Sequence, residues 1–228
     1  MASMGLDVLY EDNHLLVVNK SAGMLTQGDQ TGDEPLVEKG KAYLKQKYHK
    51  PGAVFLGVVH RLDRPTSGVV VFARTSKALA RLNEQFKNRT VSKTYWALVG
   101  KEFNPPSKTL IHWLVRYPAK NISKAYPKEV PDSKKGVLHF KIKQELKHYL
   151  LLEVVLETGR HHQIRAQMSA IGAPILGDLK YGAKRSMTKV GFGLHARCLA
   201  LEHPVTKKRM EFLASPAKQG IWKAVVCD

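Results

Sequence analysis

Short apolar runs broken by turn residues constrain this chain more than any other feature of its sequence. Residues 15–19 (LLVVN) end in the turn Lys20-Ser21-Ala22-Gly23, and residues 68–74 (GVVVFAR) form a second such run. Runs of this length bounded by turn signals read as buried strands. Residues 91–99 alternate, which puts Val91, Lys93, Tyr95, Ala97 and Val99 on one face of a strand. Residues 137–145 and 148–157 predict a hairpin around Leu146-Lys147, and 194–201 and 209–213 predict two more strands flanking a turn at 202–208. Helical spacing is confined to four stretches. These are 36–48; 77–88, where Leu79, Leu82 and Phe86 follow the cap candidates Thr75-Ser76; 161–171, closed by Gly172 and Pro174; and 216–226. Strands dominate without a β-α-β rhythm, so the expected class is α+β with a mixed or antiparallel sheet.

The chain has 228 residues, 43% of them hydrophobic, enough to bury a core. No Gly/Ser linker, repeat or low-complexity segment interrupts it, and one domain over residues 1–228 is expected. No apolar run approaches the roughly 20 residues of a membrane helix, and the first 20 residues carry acids rather than a secretory leader. Cys198 and Cys227 make neither a disulfide framework nor a CxxC metal pattern. A soluble, cytoplasmic protein is expected.

Lys plus Arg number 37 against 19 Asp plus Glu, a formal charge of +18. A scattered excess speaks only to solubility. Its distribution says more. Residues 116–148 hold nine Lys/Arg against three acids. Within them, residues 119–136 lie among Pro118, Pro127 and Pro131 and read as an exposed basic loop. Lys120, Lys124, Lys134 and Lys135 are its candidate phosphate contacts, which give affinity without sequence information.

Two polar segments concentrate chemistry. His60-Arg61-Leu62-Asp63-Arg64-Pro65-Thr66-Ser67-Gly68 sits between buried strands. It reads equally as a site or as a turn in which Asp63 and Thr66 satisfy backbone amides. Glu157-Thr158-Gly159-Arg160-His161-His162-Gln163-Ile164-Arg165 leaves a strand and opens a helix. Cations there oppose the helix dipole unless an anion meets them, which favours an anion-binding reading over a solubilising face. A metal site is not expected, because adjacent histidines diverge by about 100° on a helix and no HxxxH or HExxH spacing exists. Neither GxxxxGK[ST] nor GxGxxG occurs, so no nucleotide cofactor is expected.

The first of these segments resembles the HRLDxxTSG signature of the RluA-type pseudouridine synthases. Further matches follow in family order: Tyr10-Glu11-Asp12 with Leu16 to Lys20, Lys93 to Val99, and Thr158 to Arg165. After them come Gly172 to Asp178 with Tyr181-Gly182, Leu194-His195-Ala196, and His203-Pro204. Together they span residues 8–218. The resemblance implies a pseudouridine synthase catalytic fold, a bent mixed and largely antiparallel sheet with flanking helices and loops. It implies isomerisation of specific uridines in structured ribosomal or transfer RNA, with base flipping and without cofactor or metal. Asp63 would be the catalytic aspartate, Tyr95 would lie against the base, and Arg165 would pair with Asp63. Arg61 would fill the space left by the flipped nucleotide and Ile164 would wall the pocket, with Arg160 among the RNA contacts. Gly172-Ala173-Pro174 departs from the pattern, where His is expected before Pro. An N-terminal S4-type domain is not expected, since the pattern starts near Val8. A monomer is expected, because asymmetric RNA demands no symmetric partner.

The residue types suit the chemistry. Hydrolytic glycosidases use two carboxylates, one to assist departure and one for the sugar cation or the water. Uracil leaves as a stabilised anion and is recaptured, so one carboxylate suffices, whether it attacks covalently or takes a sugar proton to give a glycal. A non-catalytic RNA-binding module and an enzyme acting on free nucleosides are the competing classes.

Overall fold

The structure, a computed structural model, describes residues 6–29, 31–103, 107–187 and 191–226; Cys227 lies outside them. β1 (Asp7–Glu11) and β2 (Leu15–Lys20) form a hairpin whose turn is closed by Asp12. Its Oδ1 accepts from the His14 and Leu15 amides at 2.8 and 2.7 Å. Next come α1 (Leu36–Lys47), the two-residue β3 (Gly57–Val58), β4 (Ser67–Ala73) and α2 (Ser76–Lys87). Four long strands and a short one follow: β5 (Ser92–Gly100), β6 (Ser107–Tyr117), β7 (Ile122–Tyr126), β8 (Lys134–Glu145) and β9 (Tyr149–Leu156). Then α3 (Gln163–Ala170), β10 (Leu194–Glu202) and β11 (Arg209–Leu213) complete an α+β fold. No described helix is long and apolar enough to cross a membrane.

The chain divides into two compact units. The first is Met1–Val91 with Ala196–Pro216, the second Ser92–His195 with Ala217–Asp228. In the first, the strand order is β1-β2-β4-β10, with β3 on β4 and β11 on β10. The apolar runs of β2 and β4 fill its core: Leu15, Val17, Val69 and Val71 pack with Leu82 of α2 and with Leu199, Leu201 and Phe212. α2 starts where Thr75 accepts the Ala78 amide at 3.1 Å through its hydroxyl, which satisfies one orphan donor of the first turn.

In the second unit the order is β5-β9-β8-β6-β7, and every one of these pairings is antiparallel. One face of this sheet contributes Ala97, Val99, Leu138, Phe140, Leu152 and Val154 to a core closed by Ile164 and Met168 of α3. On the other face Trp96, Leu98 and Leu151 are covered by Trp222 and Val225.

Three expectations change. The segment 119–136 is not all loop: β7 pairs with β6 (Trp113↔Tyr126, Val115↔Lys124), and β8 begins at Lys134. The lysines stay exposed: Lys120 ends a 3-10 turn between β6 and β7, Lys124 lies on the edge strand β7, and Lys134 and Lys135 open β8. The third helix begins at Gln163 rather than 161, because His162 adopts a left-handed φ of 51° that no α-helix continues through. Residues 216–226 hold a single 3-10 turn, Gly220–Ala224, held down by buried Trp222.

Candidate active site

Within the first unit, the Asp63 turn connects β3 to β4 and is pinned by main-chain and side-chain bonds on both sides. Arg61 is exposed, Leu62 buried and Asp63 half-buried, so neighbouring side chains point alternately out and in. Thr26 holds the Leu62 peptide from both ends: its hydroxyl donates to the Leu62 carbonyl at 3.1 Å and accepts the Leu62 amide at 3.2 Å. The Asp63 carbonyl accepts the amide of buried Thr66 at 3.0 Å, which closes the turn. Arg64 donates through Nε to the Gly23 carbonyl at 3.0 Å and pairs with Asp33 at 2.6 Å. The Gly23 amide returns a bond to the Arg64 carbonyl at 2.8 Å.

Lys20 is the residue that sequence reading passed over as part of a turn. Its side chain is fully buried, and Nζ donates to the carbonyls of Ser21, Met24 and Arg64 at 3.2, 2.7 and 3.0 Å. The ammonium thus knots the turn after β2 to the residue beside Asp63. Burial pulls Lys20 down to about 7; the Asp63 carboxylate opposes that fall and the Arg64 guanidinium adds to it. A Lys in a strand-ending turn ordinarily faces water, so only its place just after the buried run Leu15–Val18 and Asn19 hinted otherwise. His60 belongs to the scaffold: its Nε2 accepts the Val71 amide at 3.1 Å, and its ring stacks on Phe86 at 5.0 Å.

Within the second unit, Tyr95 on β5 lies opposite Val154 and packs half-buried against the core that contains Ile164. Gln163 caps its own helix entry. Its Oε1 accepts from the Arg160 amide at 3.0 Å and the Thr158 hydroxyl at 2.8 Å, while Nε2 donates to Val137 O at 3.1 Å. Arg165 is 5% exposed and meets Asp178, itself 2% exposed, in a two-pronged pair: Nε to Oδ2 at 2.7 Å and Nη2 to Oδ1 at 2.9 Å. Its guanidinium lies 4.8 Å from the ring centres of both Tyr181 and Phe192. Asp178 stood in the matched motif Gly177-Asp178, yet thirteen residues of separation gave no signal that it is a partner of Arg165.

The helix entry does not present its histidines outward as a cationic face. His161 bonds Ser123 Oγ through Nδ1 at 2.9 Å and Asn121 Oδ1 through Nε2 at 3.2 Å. His162 bonds the Tyr181 hydroxyl at 2.9 Å, and the same hydroxyl accepts the Ser123 amide at 2.7 Å. These contacts tie β7 to the start of α3. Arg160 is half-buried and donates through Nε to the Lys135 carbonyl at 3.1 Å. Lys120, Lys124, Lys134 and Lys135 are all exposed on the β6–β7 hairpin and the start of β8.

The sequence pattern of the family described as RNA pseudouridylate synthase matches residues 14–170, which include Asp63, Tyr95 and Arg165. The chain belongs to the RNA pseudouridylate synthase family. Curated relatives agree. It is 36% identical over 214 residues to the uncharacterized RNA pseudouridine synthase YlyB of Bacillus subtilis (strain 168), covering 92% of this chain and 69% of the relative. It is 34% identical over 217 residues to ribosomal large subunit pseudouridine synthase D of Zymomonas mobilis, covering 91% and 68%. With ribosomal large subunit pseudouridine synthase C of Vibrio cholerae the figures are 32% over 213 residues, 91% and 64%. The chain therefore spans about two thirds of the length of these relatives. Among solved structures, human RNA pseudouridylate synthase domain containing 4 superposes with a TM-score of 0.79 at 22% identity, covering 93% of this synthase and 89% of that chain. Domain containing 1 gives 0.76 at 25% identity, covering 96% and 86%. The former likeness speaks to the fold alone.

Proposed function

We propose that this synthase isomerises specific uridines in structured ribosomal or transfer RNA, using Asp63 as its catalytic aspartate. The observation that carries the reading is the Asp63 turn, a half-buried carboxylate on a backbone fixed by Thr26, Thr66 and the Lys20 ammonium. A single carboxylate held so firmly suits a reaction that needs no activated water and rewards exact placement. The names of two relatives favour ribosomal RNA over transfer RNA. Both compact units are read as one catalytic domain, since the HRLD motif falls on the first and the matches around Tyr95 and Arg165 on the second.

In this reading the C1′–N1 bond breaks, uracil turns, and C1′ rejoins the base at C5, whose hydrogen leaves as a proton while N1 takes one up. Product and substrate are isomers, so no water is consumed. Asp63 either forms a bond to the sugar or takes a sugar proton to give a glycal; both routes return it unchanged. Tyr95 receives the face of the flipped base and assists proton transfer at C5, and Arg165 is the catalytic cation. Extracting the base costs a few kcal/mol, which Arg61 offsets by occupying the vacated stack, while Ile164 walls the pocket. Arg160, Lys120, Lys124, Lys134 and Lys135 hold backbone phosphates.

The test is tritium release from ribosomal and transfer RNA labelled at uridine C5. The wild-type protein liberates tritium, and Asp63→Asn abolishes release while binding RNA nearly as well. Undiminished release by D63N sinks the assignment of Asp63. RNA binding without any release by the wild-type protein favours a non-catalytic module instead.

A further inference from the structure

The sheet of the second unit has a face turned away from Tyr95 and Ile164, and two of the proposed phosphate contacts, Lys124 and Lys135, lie on it. Register places Thr109, Ile111, Trp113, Val115 and Tyr117 of β6 on the side opposite α3. Across the ladder, Lys124 and Tyr126 of β7 and Lys135, His139 and Lys141 of β8 share it. Among the described residues, Trp222 and Val225 pack on this side against Trp96, Leu98 and Leu151. Further along, Ile111 is 45% exposed and Val155 38%, and Trp113, Tyr117 and Tyr126 are only half-buried. The open face of an antiparallel sheet is ordinarily polar; here Trp113, Tyr117 and Tyr126 stand among its polar residues.

Charge selects the partner. Glu153 is engaged by Lys141 at 2.9 Å and Glu157 by His139 at 2.6 Å, so the cationic surplus sits at Lys124 and Lys135, among the aromatics. Lys135 lies directly opposite Trp113 in register, and Lys124 Nζ lies 5.5 Å from the Tyr117 ring centre. The Tyr117 and Tyr126 hydroxyls meet at 2.9 Å, joining the rings into one strip. Lysine is depleted at protein–protein contacts, whereas cations beside stacking aromatics are what single-stranded nucleic acid requires. A duplex would not serve, because its bases are already stacked on each other and offer no free faces.

We infer that this face is a second RNA platform, which holds an unpaired segment flanking the target uridine. Its bases stack on Trp113, Tyr117 and Tyr126, and its phosphates meet Lys124 and Lys135. The inference rests on the reading of the chain as an RNA enzyme and adds to it a surface on the side of the sheet away from Tyr95 and Ile164. β7 is the edge strand of this unit's sheet, so a single strand leaves the platform over the β6–β7 hairpin.

The test uses the full chain and a fluorescein-labelled ten-nucleotide oligouridylate, with a second copy of the oligonucleotide carrying 4-thiouridine. Photocrosslinks on the wild-type protein map to peptides holding Trp113, Tyr117 or Tyr126. The double variant W113L/Y126L binds about tenfold more weakly at fixed salt with an unchanged salt slope. K124A/K135A lowers the slope of log affinity against log salt by about 1.4. Crosslinks confined to other peptides overturn the platform, and because they need no variant, a misfolded mutant cannot obscure the result. Protection of this face by self-association or by a protein partner, with no oligonucleotide adduct, overturns it too. Tritium release by the wild-type protein reports separately on the enzyme. Release without adducts defeats the platform alone, and adducts without release defeat the catalytic reading alone.

Discussion

Arg165 and Asp178 form a buried two-pronged ion pair, with bonds of 2.7 and 2.9 Å and neither side chain more than 6% exposed. Removing one member of such a pair takes both bonds from a charge that stays buried, at a cost of about 3–5 kcal/mol. Asp178→Ala is therefore expected to destabilise the chain by about 3 kcal/mol in urea unfolding. Arg165→Lys keeps the charge but loses the fork that matches both carboxylate oxygens, so it is expected to fall on the same side by a smaller amount. A D178A protein as stable as wild type contradicts this account.

Lys20 makes stability depend on pH. The unfolded chain keeps the proton up to its ordinary value of 10.5, and the folded chain releases it near 7. Between those values the unfolded state binds more protons, so stability rises with pH. The gain from this group is roughly 2 kcal/mol between pH 7 and 9, at about 1.4 kcal/mol per pH unit. Lys20→Met removes the titration together with the three carbonyl contacts. The stability difference between wild type and K20M, followed by urea unfolding, should widen across that interval; a constant difference removes Lys20 as its source.

How far the sequence exposed these features depends on the range of the interaction behind them. β2, β4, α2 and β11 follow from local pattern and emerge within a residue or two of expectation, because turn signals and apolar periodicity are short-range properties. β7 was hidden. Ile122, Lys124 and Tyr126 alternate with Ser123 and Ala125 as an edge strand should, but prolines and lysines around them carry the signature of a loop. His162 misled in the other direction: its left-handed φ goes with a bond to the Tyr181 hydroxyl, nineteen residues away, which no helix propensity encodes. Asp63 was legible by motif. Its supports, Thr26 and Lys20, lie 37 and 43 residues upstream and become partners only through the fold.

Glu11 should govern acid stability in the first unit. Its carboxylate accepts from Tyr43, Lys47 and Tyr48 at 2.9, 2.7 and 2.6 Å, and from Arg74 at 3.0 Å. Burial raises its pKa, but the bonds from Lys47, Tyr48 and Tyr43 outweigh burial and hold it below the ordinary 4.5. A depressed carboxylate stabilises the fold above its unfolded value and loses that contribution as pH falls through the folded one. Glu11→Gln is expected to cost about 3 kcal/mol at pH 7. The gap to wild type should narrow as the pH drops below about 4.5, as measured by denaturant midpoints at pH 7, 5 and 3.

Gly68 ends the Asp63 turn at a φ of 118°, and a Cβ there would lie 2.2 Å from the Ala196 carbonyl oxygen and 2.6 Å from its nitrogen. Those are backbone atoms of β10, the strand beside β4, so no rotamer change relieves the clash and the two strands must part. Gly32 offers a control within the same unit. Its φ is 76°, yet a Cβ there meets nothing within 4 Å. Gly32→Ala therefore carries only the left-handed backbone penalty, about 1–2 kcal/mol. Gly68→Ala adds the steric term and is expected to cost about 4 kcal/mol or to prevent folding. Because β4 begins at Ser67, the displaced strand carries the end of the turn with it. Any G68A protein recovered in soluble form should therefore release tritium from labelled RNA at least a hundredfold more slowly, while G32A works at nearly the wild-type rate. Equal stability of the two variants would mean that backbone conformation, rather than the approach of β10, fixes glycine at position 68.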